Sequence, residues 1–250
     1  MPFSYITNKQ NEQLAYVYDT QENASFTIVY FNGFHSQLFG EKSQLIRTIA
    51  MQESCNALFF DYQAHGASSG EYAEASLKDW LNDSILLINQ LTNGPLLFIA
   101  SSMGAWLSLL TAEHYPDRMK GILCISAACD FTTEVIDKKI SAKQKQELDQ
   151  DGLFYAPTKY DEDDYVITQR LIDEGRELSV LNRDIAITCP VRLLHGNKDL
   201  DIPWEISAKT LENIQSANAQ LILIKDADHQ LSSLNALQLI KKYTLELIHV

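Results

Sequence analysis

Three residues of this chain, Ser102, Asp199 and His229, carry the chemistry of nucleophilic acyl transfer. A neutral serine is a poor nucleophile. An imidazole takes its proton and later returns one to the leaving group, and a carboxylate behind the imidazole holds its tautomer and stabilises its cation. Ser102 stands two residues after Ala100 and two before Gly104. A short apolar run, residues 96–99, precedes it, and a helix-like run with Trp106, Leu107, Leu109 and Leu110 follows at once. That context predicts a buried strand, a very tight turn and a buried helix, with the serine at the apex. So sharp a turn strains the serine backbone and requires small neighbours; in return the hydroxyl stands clear of the sheet beside a free backbone N–H.

A second serine fits the short pattern better by letter. Ser68 lies in Gly66-Ala-Ser-Ser-Gly70. Its context is wrong for a nucleophile, because the preceding strand ends at Asp61 and Glu71-Tyr-Ala-Glu74 does not read as a helix packed on the turn. Ser68 is therefore read as a loop residue, since context and not the letter pattern decides a short motif.

The acid and the base are sought downstream. Residues 191–194 read as a buried strand running into His195-Gly-Asn-Lys-Asp199, which puts the Asp199 carboxylate just past a strand end. Asp201 and Asp130 compete for the same role, Asp201 two residues further along the loop and Asp130 at the end of an earlier strand. Asp199 is preferred for its position. His229 is the histidine that follows the last apolar strand, residues 221–224, and precedes the terminal helix. His249 is penultimate and expected to fray. His195 is expected to support the site rather than to react, His65 to brace its own loop, and Asp228 to point away from its neighbour His229. Two backbone N–H groups should receive the oxyanion: that of Met103, just after the nucleophile, and that of Phe34, in the loop Asn32-Gly-Phe-His-Ser36 after an earlier strand. His35 in that loop is a candidate substrate contact.

The elements that must position these groups alternate along the chain. Residues 3–7 and 13–18 read as a hairpin around residues 8–11. Strands at 25–31, 57–60, 96–99 and 121–126 are then interleaved with helices at 41–52, 77–91 and 104–114. Such alternation implies an α/β fold, a mostly parallel sheet covered by helices on both faces. The pattern stops near Asp130 and resumes at Pro190. Between them lies a polar stretch, helix-prone at 141–150, with Phe154, Tyr155, Tyr160 and Tyr165 scattered through it. An amphipathic helix, residues 236–248, closes the chain.

Composition narrows the partners. The 250 residues carry a formal net charge of −13. Nucleic acid and anionic membrane surfaces are disfavoured as partners, because phosphate-neutralising charge is lacking. Cys55, Cys124, Cys129 and Cys189 show no metal-ligand spacing, and no cofactor is expected. A reduced, cytoplasmic setting is the expectation, with no signal or transit peptide read at the N-terminus and no apolar run approaching the roughly 20 residues of a bilayer span.

The segments Phe31-Asn-Gly-Phe-His-Ser, Phe60-Asp-Tyr-Gln-Ala-His-Gly-Ala-Ser-Ser-Gly, Gly94-Pro-Leu-Leu-Phe-Ile-Ala-Ser-Ser-Met-Gly-Ala-Trp, Cys189-Pro-Val-Arg-Leu-Leu-His-Gly-Asn-Lys-Asp-Leu-Asp-Ile-Pro-Trp and Asp228-His-Gln together resemble the α/β-hydrolases. More narrowly, they resemble the group around abhydrolase-domain-containing protein ten and its bacterial relatives. The resemblance spans most of the chain in the right order. It implies a serine hydrolase of acyl esters or thioesters; family members are described as acyl-protein thioesterases and acyl-glucuronide esterases, some of them mitochondrial. Ala100 and Ala105 replace family glycines, Ala64 replaces a glycine after Asp61, and Asn32 precedes Gly33. The resemblance divides the chain into a core, residues 1–129 and 189–250, and a cap insertion after the sixth strand, residues 130–188. In the cap, Phe131 and Phe154 are candidate acyl-chain contacts. The alternatives are a non-catalytic binding or signalling module on the same fold, or a serine peptidase.

Overall fold

The computed structural model describes residues 3–159 and 163–250. Tyr160, one of the aromatics noted in the insertion, lies outside them. The expected N-terminal hairpin is present as β1 (Ser4–Thr7) and β2 (Gln13–Asp19), paired antiparallel. The Asn8 side chain closes its turn by accepting from the backbone N–H groups of Gln10 and Glu12. Then β3 (Thr27–Phe31), α1 (Glu41–Gln52), β4 (Asn56–Phe60), α2 (Leu77–Leu91), β5 (Leu96–Ser101), α3 (Met103–Ala112) and β6 (Met119–Ile125) alternate as the pattern implied. After the insertion come β9 (Val191–Gly196), α7 (Glu205–Asn213), β10 (Ala219–Ile224) and α8 (Leu234–Ile248).

The eight strands of the main sheet lie in the order β1-β2-β4-β3-β5-β6-β9-β10. All the pairings from β4 to β10 are parallel, and β2 runs against its neighbours β1 and β4. The chain leaves β3 toward β4 on one side and leaves β5 toward β6 on the other. The crevice between the carboxyl ends of β3 and β5 is thus the switch point at which ligands bind in open α/β sheets.

Strand alternation feeds two cores. Val29, Phe31, Phe60, Phe98 and Ala100 point to the face covered by α2, α3 and α7. Ile28, Tyr30, Phe59, Leu97 and Ile99 point to the face covered by α1 and α8. Both faces of the central strands are buried, which is why they read as continuous apolar runs.

The insertion contains more structure than its sequence suggested. A π-helical turn (Thr132–Ile136) and α4 (Asp137–Lys139) lead to α5 (Ala142–Asp151), then to a two-stranded antiparallel sheet of β7 (Leu153–Ala156) and β8 (Tyr165–Thr168), then to α6 (Gln169–Glu177). The hairpin escaped notice because each strand has only four residues and sits in polar sequence. Leu148, Phe154, Ile167, Leu171 and Ile172 join the same apolar cluster as β5 and α3, so the insertion packs onto the main core instead of building its own. Trp106 Nε1–H donates to the Leu178 carbonyl at 3.1 Å, tying the end of the insertion to α3. His249, expected to fray, follows α8 with its Nε2 3.2 Å from the Glu53 carboxylate.

Candidate active site

Ser102 occupies the turn between β5 and α3 with φ 54° and ψ −123°, a conformation L-residues rarely hold. The surrounding structure enforces it. The Ser102 N–H donates to Ile125 O at 2.9 Å, and its carbonyl accepts from Ala105 and Ala128. A Cβ on Gly104 would lie 2.4 Å from Asn32 O and 2.5 Å from Phe31 O, so only glycine lets α3 start against the end of β3. Ala100 sits in the ladder opposite Phe31 and Cys124 with its methyl in the core, which is why alanine serves there.

The structure brings Ser102, His229 and Asp199 into one chain of hydrogen bonds. The Ser102 hydroxyl lies 3.0 Å from His229 Nε2, and His229 Nδ1–H donates to Asp199 Oδ2 at 2.6 Å. The Asp199 side chain is fully buried, while that of His229 keeps a small exposed edge. Burial alone would raise the Asp199 carboxyl; hydrogen bonds from His195 and His229 outweigh it and hold the group well below the usual carboxylate range. Its other oxygen, Oδ1, accepts from the backbone N–H groups of Asp201 and Ile202.

The two competing carboxylates are engaged elsewhere. Asp201 pairs with Lys159 of the insertion at 3.1 Å. Asp130 is buried and accepts from the N–H groups of Val180 and Leu181 and from the Ser179 hydroxyl, joining the two ends of the insertion. Asp228 accepts from Leu231 N–H, turned away from His229. Ser68 is a loop residue, its hydroxyl held between Asp61 O and Ala15 N–H.

Phe34 and Met103 both line the cavity around Ser102. Met103 is the first residue of α3, so its N–H is one of the donors a helix leaves without an internal partner. Gly33 abuts the nucleophile so closely that a Cβ there would lie 3.2 Å from Ser102 Cβ. The loop bearing Phe34 is braced from below. Asn32 Nδ2 donates to Phe60 O at 2.8 Å, and Tyr62 Oη–H donates to Asn32 O at 3.2 Å. The buried Asp61 carboxyl accepts from Ala67 N–H at 2.9 Å. Burial pushes that carboxyl up to about 7, against the hydrogen bonds from the amides of Ala67 and Leu38. His65 braces this loop, as expected, with Nδ1 3.1 Å from Gln63 O; burial takes its imidazole down to about 3.

Above Ser102 opens a cavity of about 1300 Å³. Its walls come from the loop after β3, the Tyr72 region and the insertion. Phe131 and Phe154 both line it, each less than a tenth exposed. The Phe131 ring packs between Phe34 (5.7 Å) and Trp106 (5.9 Å). The His35 ring lies flat on Tyr72, 3.6 Å between centroids, and 4.5 Å from Tyr165. The insertion's side of the cavity is mixed, with Val135, Ile136, Ile140 and Ile167 facing the same space as Lys139, Gln144 and Lys159.

Two supporting groups were invisible in the sequence. Ser126 Oγ–H donates to the His229 carbonyl at 2.7 Å, and Lys42 Nζ donates to the Gln230 carbonyl at 2.7 Å. Each contact joins residues more than a hundred positions apart, and no local signal marks either one. Among the described residues no group of three or more His, Cys, Asp or Glu is placed to hold a metal, and no helix is long and apolar enough to cross a membrane.

Residues 22–151 match the family model described as "Serine aminopeptidase, S33". The chain is 31% identical over 225 residues to the palmitoyl-protein thioesterase ABHD10, mitochondrial, of Pongo abelii, covering 88% of this chain and 71% of that one. The solved structure of α/β-hydrolase domain-containing protein 10 from mouse superposes with a TM-score of 0.89 at 27% identity, covering 100% of this chain and 99% of that one. A putative hydrolase from Agrobacterium vitis S4 gives a TM-score of 0.93 at 24% identity over 99% of this chain and 100% of the other, a likeness of fold.

Proposed function

The chain belongs to the α/β-hydrolase family, within the group of the ABHD10 thioesterases, and from that premise we propose that it is an acyl thioesterase or esterase for long apolar acyl groups, with Ser102, His229 and Asp199 as its catalytic residues. It is an enzyme, a serine hydrolase of esters or thioesters. One observation carries the finer reading: the hydrogen-bonded chain from Ser102 through His229 to Asp199 sits at the floor of a cavity to which the insertion contributes Phe131, Val135, Ile136, Ile140, Phe154 and Ile167.

The steps follow from the geometry. The Ser102 hydroxyl gives its proton to His229 Nε2 as Oγ attacks the acyl carbonyl carbon. The negative charge forms on the carbonyl oxygen, where the N–H groups of Met103 and Phe34 receive it. Asp199 stabilises the imidazolium through Nδ1–H and does not take the proton. Collapse expels the thiol or alcohol, which leaves with the proton from His229. Water, deprotonated by the same imidazole, then attacks the acyl-enzyme, and the carboxylic acid departs as Ser102 recovers its hydrogen.

The insertion, read as a cap, supplies the acyl pocket. Each buried CH₂ contributes about 0.8 kcal/mol, so kcat/KM should climb with acyl length until the cavity is full. The relatives' name points to palmitoyl-proteins, and the cavity is larger than the roughly 300–1,000 Å³ of common small-molecule sites, which suits a long chain. The test is a panel of thioesters and oxygen esters of rising acyl length beside aminoacyl anilides. A rising profile with no anilide turnover supports the reading; preference for acetyl esters or for anilides overturns it.

For the compartment, the proposal is the cytoplasm. Cys55, Cys124 and Cys129 are buried free thiols, which suits a reducing setting. Cell fractionation tests it, with recovery in mitochondria, the location in the relatives' name, as the contrary result.

A further inference from the structure

Asp199 is contacted by two histidines, and both reach the same oxygen. His229 Nδ1 lies 2.6 Å from Oδ2, and His195 Nε2 lies 3.0 Å from it. Since Oδ1 takes the two backbone N–H groups of Asp201 and Ile202, the carboxylate has four donors. That fills the roughly four lone-pair positions a carboxylate offers, so the group has no freedom to rotate.

His195 is fully buried as the penultimate residue of β9 and cannot reach substrate. Its protonation pattern is set by its surroundings. Nε2 faces two acceptors, Asp199 Oδ2 and the Ile202 carbonyl at 3.1 Å, so Nε2 carries the hydrogen. Nδ1 lies 2.7 Å from the hydroxyl of Ser207, a buried residue in the first turn of α7, which donates to it. The opposite tautomer would aim a lone pair at two oxygens.

We infer that Ser207 and His195 are positioning residues for the reaction, a second relay that fixes the tautomer of His195 and through it the orientation and charge of Asp199. The catalytic chain therefore extends from Ser207 through His195, Asp199 and His229 to Ser102, drawing on α7, β9, the loop after β9, the loop before α8 and the β5–α3 turn. The energetic direction agrees: the His195 hydrogen bond is the largest influence opposing burial in keeping Asp199 ionised. Of the other charged groups in these loops, Asp201 pairs with Lys159, Lys198 pairs with Asp226, and Asp228 accepts from Leu231 N–H.

Loss of the His195 donor leaves Asp199 a stronger acceptor for the His229 proton. The imidazolium is then favoured, and the acid limb of the pH–rate profile moves to higher pH. A hydrogen bond to a charged group is worth enough to lower kcat roughly tenfold to a hundredfold, with KM on the same substrate little changed.

The inference rests on the assignment of Ser102, His229 and Asp199 to catalysis, and the experiment separates the two. Wild type, His195→Leu, His195→Gln and Ser207→Ala are each titrated with a fluorophosphonate, and kcat per labelled site is measured across pH. No labelling of wild type at Ser102 overturns the underlying assignment. With labelling intact, the expected order is wild type, then His195→Gln, whose amide still donates, then His195→Leu, with the acid limb displaced upward in His195→Leu and Ser207→Ala. If the His195 variants do not fold, Ser207→Ala decides alone. Wild-type kcat per site and an unmoved acid limb in the folded variants would show that the pair serves packing only.

Discussion

The Ser126 hydroxyl, at the end of β6, holds the backbone carbonyl of His229 at 2.7 Å across 103 residues of sequence. Ser126 is itself in the left-handed region, with φ 48°, and its N–H donates to Leu194 O at 2.8 Å. One residue thus links β6, β9 and the loop that carries the imidazole. Ser126→Ala should cost about 1 kcal/mol of stability, the net worth of a typical hydrogen bond. It should also lower kcat by about tenfold through a looser imidazole. Urea denaturation and kcat per titrated site check both; a full stability loss with unchanged kcat would mean that the loop is held well enough without it.

Asp199→Asn should lower kcat by about 10⁴ while leaving the fold intact, because the amide favours the wrong tautomer of His229. The pH dependence of stability follows from the depressed carboxyl. A group with a lowered folded-state pKa contributes stability above its unfolded value near 4, and loses it as pH falls toward the folded one. The stability gap between wild type and Asp199→Asn should therefore be widest at neutral pH and narrow below about pH 4. A gap independent of pH would contradict the geometry around Asp199.

Asp61 should behave in the opposite sense. Its carboxyl is raised to about 7 by burial, so the neutral form is favoured on folding. Its contribution is fully present below the unfolded value of about 4 and is lost as pH rises through about 7. Asp61→Asn keeps an acceptor for Ala67 N–H without the charge. Relative to that variant, wild type should lose stability between about pH 4 and 7 and run parallel above it. Parallel curves over the whole range would show that Asp61 is ionised at no cost.

Phe131→Ala should move the preferred acyl length upward, because the ring it removes stands between Phe34 and Trp106 in the cavity wall. The fluorophosphonate rate of the shortest probe should stay nearly unchanged. Stability should fall by about 3–5 kcal/mol, as for other buried Phe→Ala changes. Thermal destabilisation with an unmoved acyl-length profile would make the side chain structural and pass specificity to the loop bearing Phe34.

How much of this was legible in the sequence depended on the range of the interactions. Ser102 could be read because its signal is local: an apolar run, small residues on both sides and an apolar helix, all within sixteen residues, 95–110. Asp199 and His229 could be read because each follows a strand end in a fixed order. The helices of the central layers were read to within two residues of their ends. The hairpin of β7 and β8 was not, since its short strands draw their order from pairing with each other and from packing against α5, α6 and the core. Ser126, Ser207 and Lys42 were missed for the same reason, as a lone serine or lysine gives no sign of the distant atom it will bond.

The most direct measurement is fluorophosphonate labelling with mapping of the modified residue. Wild type should be labelled at Ser102 alone, His229→Ala should label orders of magnitude more slowly, and Ser102→Ala should not label at all while retaining its fold. Modification of Ser68, or undiminished labelling of Ser102→Ala, would contradict the account.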